Sequence, residues 1–546
     1  MYDEHLITFE LANAGLTVRD APRLVPYVTC SGARHAVTYA VVILPRSPAV
    51  ICRLLRTLRF VREHLIPTSV SIFSFVFLLT STTVFATSPQ TNINLNPCEL
   101  SDDEVQGLSH DASKEANALD EYIATISWMV HQGRFDALDC IGDRARAKKE
   151  RFSGGHWKIH ELYKGLYDPT PGKHATEEDW QELMQLLQRW VQTHPKSATA
   201  RVALAWAWIS YADDARGEGY ADTVSDKGWK LYAERTEEAE KVLDDAAALS
   251  VKCPESYVVK LNIAQNQSWG KEKILALFRE ASAFEPGYYY YGRAVAMLLE
   301  PKWFGEPGDT AEFLQDAADR IGGEKGDAYY FLVASSRDVL CGCQDQPKLS
   351  VERIERGYNA TERMYGVSMI NLNALAYLAL YGGRPNMILA DQAFQRIGDQ
   401  WIKDSWNDEK TFEQIKERVR LTVPMAKRNL EREQEAQANS KTAEGGRYQA
   451  TIEKEYKQLI RDCVRSDGAG VTQWQGEFET LIRVGANGSF EDGGSNTMGP
   501  VVACLYRKLQ SSRENKSPLF SAPPKGSYWV RIDLDWAEFG DAAAER

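Results

Sequence analysis

Prolines recur between paired amphipathic stretches through the middle of this chain, and that punctuation restricts the fold more than any other feature. From 116 onward Leu119, Tyr122, Ile123, Ile126 and Met129 keep the spacing of one helix face, Gln132-Gly133 breaks the run, and Phe135, Leu138 and Ile141 open a second face. The segment 180–191 is periodic, His194-Pro195 interrupts it, and 198–211 resumes; 234–249 is followed in the same way by Cys253-Pro254 and 256–263. In ILALFREASAFEPGYYYYGRAVAMLL, residues 274–299, Pro286 stands between two helical runs, and a last pair over 369–397 turns at Gly382-Gly383. Proline lacks the N–H a helix interior needs, so each such site ends one helix and lets another begin. Pro254 and Pro286 lie 32 residues apart, near the length of one helix pair, whereas Pro195 and Pro254 lie 59 apart, which predicts an irregular array. Helix pairs of this kind cannot bury their apolar faces alone and must stack, leaving a concave face for a ligand.

The flanking regions read differently. Residues 87–115 are polar and turn-rich and predict a linker, 116–407 form the helical repeat domain, and 408–445 are a charged helix and linker. Residues 446–538 predict a small α+β domain: a helix over 448–463, a strand FETLIRV at 478–484, a turn at Asn487-Gly488, a second short strand, and a helix over 498–509. In the closing YWVRIDLDW, Val530, Ile532, Leu534 and Trp536 alternate with Arg531, Asp533 and Asp535, as a strand with one buried face requires. Cys463 and Cys504 fall on the two helices of that domain and are expected to form a disulfide.

Location is argued from the N-terminus. Residues 66–86, IPTSVSIFSFVFLLTSTTVFA, carry no charge, follow Arg53, Arg56, Arg59 and Arg62, and end in a small-residue pattern that predicts signal cleavage after Ala86. The alternative is an uncleaved anchor in the inner membrane, since 21 residues of helix would span about 31 Å. Sixty residues precede this signal, and the first lysine of the chain is Lys114. Residues 1–60 are therefore read as a gene-model artefact or disordered, and 61–86 as the signal or anchor. Seven cysteines follow Ala86, an odd number that leaves at least one thiol unpaired in an oxidising compartment.

With 44% apolar and 26% charged residues the chain has the composition of a folded protein. Residues 1–86 carry eight arginines against five acids, a net of +3; the total of -12 leaves -15 on the rest. An acidic body without a basic stripe excludes nucleic acid as a partner.

Three stretches, GGHWKIHELYKGL (154–166), YADDARGEGYADTVSDKGWKLY (211–232) and EPGYYYYGRAVAMLLEPKWFGEPGD (285–309), resemble an uncharacterised bacterial domain-of-unknown-function family with a tetratricopeptide-like helical body. The resemblance covers about 116–340 and implies a mainly α fold, an irregular tetratricopeptide-like helical-hairpin solenoid followed by the α+β domain, and it names no activity. The FETLIRVGANGSF hairpin, the VVACLYRKL helix and the paired prolines before the last strand are similar to the TonB-like C-terminal domains of envelope proteins, which implies contact with other envelope proteins.

Candidate chemistry is sparse. His156 and His160 are four apart, a metal-pair spacing on a helix, but Gly154-Gly155 precede them and no third ligand is matched, so no metal or other cofactor is expected. Cys341-Gly342-Cys343 reads as structural, because two bridging cysteines this close strain the bond. The acidic loop 213–222 holds Asp213, Asp214, Arg216, Glu218 and Asp222, with Arg216 expected to pair with one of the carboxylates. Trp229, Tyr288, Tyr290 and Trp303 are the aromatic candidates for a concave binding face. No nucleophile motif accompanies them. The sequence therefore reads as an exported, periplasmic, helical-repeat protein that binds an envelope protein or peptide without catalysis, touching the membrane only if residues 66–86 are uncleaved. The alternative is an envelope hydrolase or glycan-binding protein using the acidic loop.

Overall fold

The computed structural model describes residues 98–539, apart from 171–173, 218, 337–348, 468–476 and 496–499. The signal or anchor segment and Cys341-Gly342-Cys343 lie outside the described residues. Among those described, the chain is mainly helical, with nineteen α-helices and one three-stranded antiparallel sheet. None of these helices is long and apolar enough to cross a membrane.

The helix pairs fall where the prolines place them. α1 (Asp102–Gly107), α2 (Ala118–His131), α3 (Phe135–Lys148) and α4 (Lys158–Tyr167) lead into α5 (Glu177–Thr193) and α6 (Ala198–Arg216), which flank Pro195. α7 (Asp226–Ala247) and α8 (Glu255–Asn266) flank Pro254, and α9 (Lys271–Phe284) and α10 (Tyr290–Leu298) flank Pro286. α11 (Asp309–Ile321), α12 (Gly323–Ala334), α13 (Val351–Tyr365), α14 (Met369–Tyr381), α15 (Met387–Ile397) and the single turn α16 (Lys403–Trp406) complete the body. Starts are set by capping side chains: Thr176 accepts from Asp179 N–H, Ser197 from Ala200 and Ser225 from Gly228. The Ser225 cap starts α7 eight residues before the apolar period becomes visible at 234. One core runs through these helices, its largest fully buried rings including Trp157, Trp190 and Trp406.

Residues 98–115, within the expected linker, are folded, and the expected charged helix after 408 packs on both the helical core and the C-terminal sheet. Cys98 is joined to Cys140 on α3, Leu108 and Ala112 are buried, and Met369 N–H donates to Ala112 C=O, so the body starts near 98 rather than 116. Residues 408–445 contain α17 (Glu409–Ser440), whose polar composition hides a working apolar edge: Phe412, Val419 and Val423 enter the helical core. Further along α17, Arg432 pairs with Asp492 at 2.6 Å and lies over Trp529, which docks the helix on the C-terminal sheet.

That sheet has the order β2-β1-β3, from β1 (Glu477–Val484), β2 (Phe490–Ser495) and β3 (Tyr528–Asp535). Ile482 faces Val530 and Thr480 faces Ile532 in the antiparallel register. The buried side chains Ile482, Val484, Val530, Ile532 and Leu534 pack with residues of α18 (Ala443–Asp467) and α19 (Pro500–Asn515) in a second core. Cys463 on α18 and Cys504 on α19 are joined in a disulfide. Gly488 takes φ 83° in the turn, and a Cβ there would lie 2.1 Å from Phe520 C=O, so glycine is required.

Candidate functional site

Among the described residues, the acidic loop does not bring Asp213 and Asp222 together as a carboxylate pair. Asp213 is still on α6, Asp222 sits in a single 3₁₀ turn, and Gly217 ends the helix with φ 74°. Among the described residues, Arg216 donates to Gly217 C=O at 2.9 Å and Gly219 C=O at 3.2 Å, closing the turn on itself. Thr223 Oγ1 donates to Tyr220 C=O at 2.7 Å, and the Ser225 cap fixes the entry to α7. The ordered turn holds Tyr220 86% exposed and Trp229 38% exposed, with Arg216 5.6 Å over the Trp229 ring. Asp213 is itself exposed, yet loss of water on its inward side pushes its carboxyl up to about 6 against the pull of Arg216.

The tyrosine run belongs to the interior, which overturns Tyr288 and Tyr290 as surface binding residues. Tyr288 and Tyr289 precede α10 and Tyr290 opens it, so their hydroxyls fan out to separate partners. Tyr288 donates to Glu255, which is fully buried and also accepts from Trp206 Nε1 at 2.9 Å. His160 Nδ1 lies 3.1 Å from the same carboxylate, which requires the ring proton on that nitrogen. Tyr289 donates to Tyr290 at 2.9 Å, and Tyr290 to Glu161 at 3.0 Å. Burial pushes the Glu161 carboxyl up, but the charge of nearby Lys164, with its hydrogen bond, outweighs it and holds the group well below the usual carboxylate range.

His156 and His160 do not share a metal. His156 stands before α4, in a hairpin closed by an Arg151–Trp157 bridge with Gly154 at φ 82° and Gly155 at φ 88°, so the helical four-residue spacing does not apply to it. Its Nε2 is 3.1 Å from Asn371 Oδ1, and Asn371 Nδ2 donates to Gly154 C=O at 2.9 Å, which assigns the imidazole proton to Nε2. Burial pushes this ring down to about 4, so it is neutral. No group of three His, Cys, Asp or Glu side chains suited to a metal ion occurs among the described residues.

In front of this network lies a cleft of about 310 Å³ lined by Arg151, Glu285, Gly287, Tyr289, Tyr329 and Tyr365, among others. Trp303, 40% exposed, follows α10 and is not among its lining residues. Sequence reasoning singled out neither Glu255 and Asn371 nor Arg151. Each acts through residues distant in the chain, and the one local signal, the glycine pair before His156, was visible only as a helix breaker. Comparison with known proteins leaves the assignment to the geometry, since no family model, no curated protein and no solved structure matches the chain.

Proposed function

We propose that this chain is a helical binding protein of the bacterial cell envelope that docks a basic protein or peptide segment on the turn between α6 and α7. The observation that carries the reading is the fixed exposure of Tyr220 and Trp229 on a turn closed by its own arginine. Exposed aromatics beside an arginine have the composition of interface hot spots. In sequence, residues 213–230 carry five acids, Asp213, Asp214, Glu218, Asp222 and Asp226, against three bases, Arg216, Lys227 and Lys230, a net of -2 that favours a cationic partner. The hydrolase alternative has less support, because Asp213 and Asp222 sit on separate elements and Arg216 is spent on carbonyls.

Export belongs to the same proposal. Two disulfides, Cys98–Cys140 and Cys463–Cys504, favour an oxidising compartment, in agreement with the apolar segment ending at Ala86. The tetratricopeptide-like reading draws support from successive helices joined by short proline turns, and the TonB-like one from a three-stranded antiparallel sheet packed against two helices.

The test is a photo-crosslinking amino acid placed at Tyr220 in native cells, with one at Lys273 as control. A discrete adduct from 220 alone, lost in Trp229→Ala and weakened by salt, is expected; equal adducts from both positions would refute this docking face. N-terminal sequencing of the envelope protein should give Thr87, and a start upstream of Arg62 would replace export by anchoring.

A further inference from the structure

We propose that the cleft in front of the tyrosine run binds a small organic carboxylate with a flat apolar body. Arg151 carries the argument. Its guanidinium lies 3.9 Å from the Trp157 ring centroid and 4.6 Å from that of Tyr365, and it makes no hydrogen bond or ion pair among the described residues. Aromatic contact fixes the plane of a guanidinium while leaving its N–H edge available, which is the arrangement that grips two carboxylate oxygens. The hairpin that holds it is itself constrained: Gly154 and Gly155 both take positive φ, and a Cβ on Gly155 would strike Tyr365 at 2.8 Å.

The rest of the cleft agrees with a small anion. Lys325, on the first turn of α12, also makes no ion pair among the described residues, and its neighbour Glu324 is committed to Arg363 at 2.6 Å. Glu285, the acid in the lining, is neutralised by Lys149 at 2.6 Å. Two uncommitted cations thus face one cleft in a chain of net charge -12. Gly287 keeps the approach open, since a side chain there would begin 3.3 Å from Arg151 Nη2. The walls are Tyr289, Tyr329, Tyr365 and Leu332, suited to a planar body, and a volume of about 310 Å³ is at the small end of ligand sites. One fork and one lysine match a monoanion, whereas a phosphate dianion collects more donors than this. None of these residues belongs to the α6–α7 turn, so the site stands apart from the docking face proposed above.

Isothermal titration of the exported protein with benzoate and 3-phenylpropanoate tests the assignment, with benzyl alcohol and phenyl phosphate as controls. The carboxylates should bind saturably at millimolar concentration or below. Arg151→Ala should weaken them roughly ten- to a hundredfold, Arg151→Lys by about fivefold or more through loss of the fork, and Lys273→Ala, at an exposed residue outside the cleft lining, should leave them unchanged. Circular dichroism checks that the variants fold; if Arg151→Ala does not, Arg151→Lys and Lys325→Ala decide. Absence of saturation, equal binding of benzyl alcohol, tighter binding of phenyl phosphate, or indifference to the loss of Arg151 would each overturn the proposal.

Discussion

Lowering the pH should destabilise this protein through one buried imidazole, and the size of the effect follows from His156. Its ring falls from an ordinary 6.5 to about 4 in the folded chain because burial disfavours the charged form. Between those values the unfolded chain binds a proton that the native chain refuses, so stability is complete above 6.5 and is lost as pH falls toward 4. Over the full shift of 2.5 units, 6.5 minus 4, the loss is about 3 kcal/mol; between pH 7.5 and 5.0 it is about 2 kcal/mol. Glu161 acts in the same direction but in a lower window, from its unfolded 4.5 downward, and so hardly contributes above pH 5. Asp213, raised to about 6, acts oppositely, because its protonated native form is favoured as pH falls. Comparison with His156→Gln cancels both, since the amide can still donate to Asn371 while no longer titrating. Urea unfolding followed by tryptophan fluorescence at the two pH values should show the wild-type loss exceeding that of the variant by about 2 kcal/mol. Equal losses, within about 0.5 kcal/mol, would refute a neutral buried His156.

Other perturbations test the packing around it. Glu255→Gln should cost about 1–3 kcal/mol in urea unfolding by setting an amide N–H₂ against Trp206, Tyr288 or His160, and combining it with Tyr288→Phe should cost less than the sum, because the two share one hydrogen bond; strict additivity would contradict the shared carboxylate. Gly357→Ala should lower the melting temperature through a loss of about 1–3 kcal/mol, since its Cβ would lie 2.2 Å from Asp327 C=O across the α12–α13 contact; an unchanged melting temperature would show that the two helices do not approach so closely. Replacing Cys463 and Cys504 by alanine opens a closure of 41 residues and should remove about 4 kcal/mol of stability, seen as a lower urea midpoint; an unchanged midpoint would refute the crosslink. The Cys253 thiol, buried and pushed up from its usual range mainly by loss of water, should react with a thiol reagent only after denaturation.

Much of the architecture was legible because its signals are local. Proline placement located the α5–α6, α8 and α9–α10 boundaries, and the alternation of Val530, Ile532 and Leu534 located the closing strand, since both depend on residues a few positions apart. The expected charged helix formed, but its packing and the order of residues 98–115 were not legible. In α17 the buried side chains Phe412, Val419 and Val423 are too few among charged neighbours to raise a strong period, and near Cys98 a disulfide to α3 supplies order that no apolar run announces. Tyr288 and Tyr290 misled in the opposite sense: four aromatics in a row look like a recognition surface until Glu255 and Glu161, far off in sequence, are seen to accept their hydroxyl protons.

The same contrast separates support from recognition in this molecule. A buried carboxylate such as Glu255 costs several kcal/mol to desolvate unless donors answer it, so its three donors, from Trp206, Tyr288 and His160, are the condition of its presence. Arg151 is the opposite case, a cation held in place by rings that take none of its hydrogen bonds. Rings position it without satisfying it, and the tyrosine network behind fixes Tyr289 as one wall of the same cleft. On this reasoning the buried His156, Glu161, Glu255 and the tyrosine hydroxyls serve as scaffold, while Arg151, held by rings that leave its hydrogen bonds open, is placed to meet another molecule in the cleft.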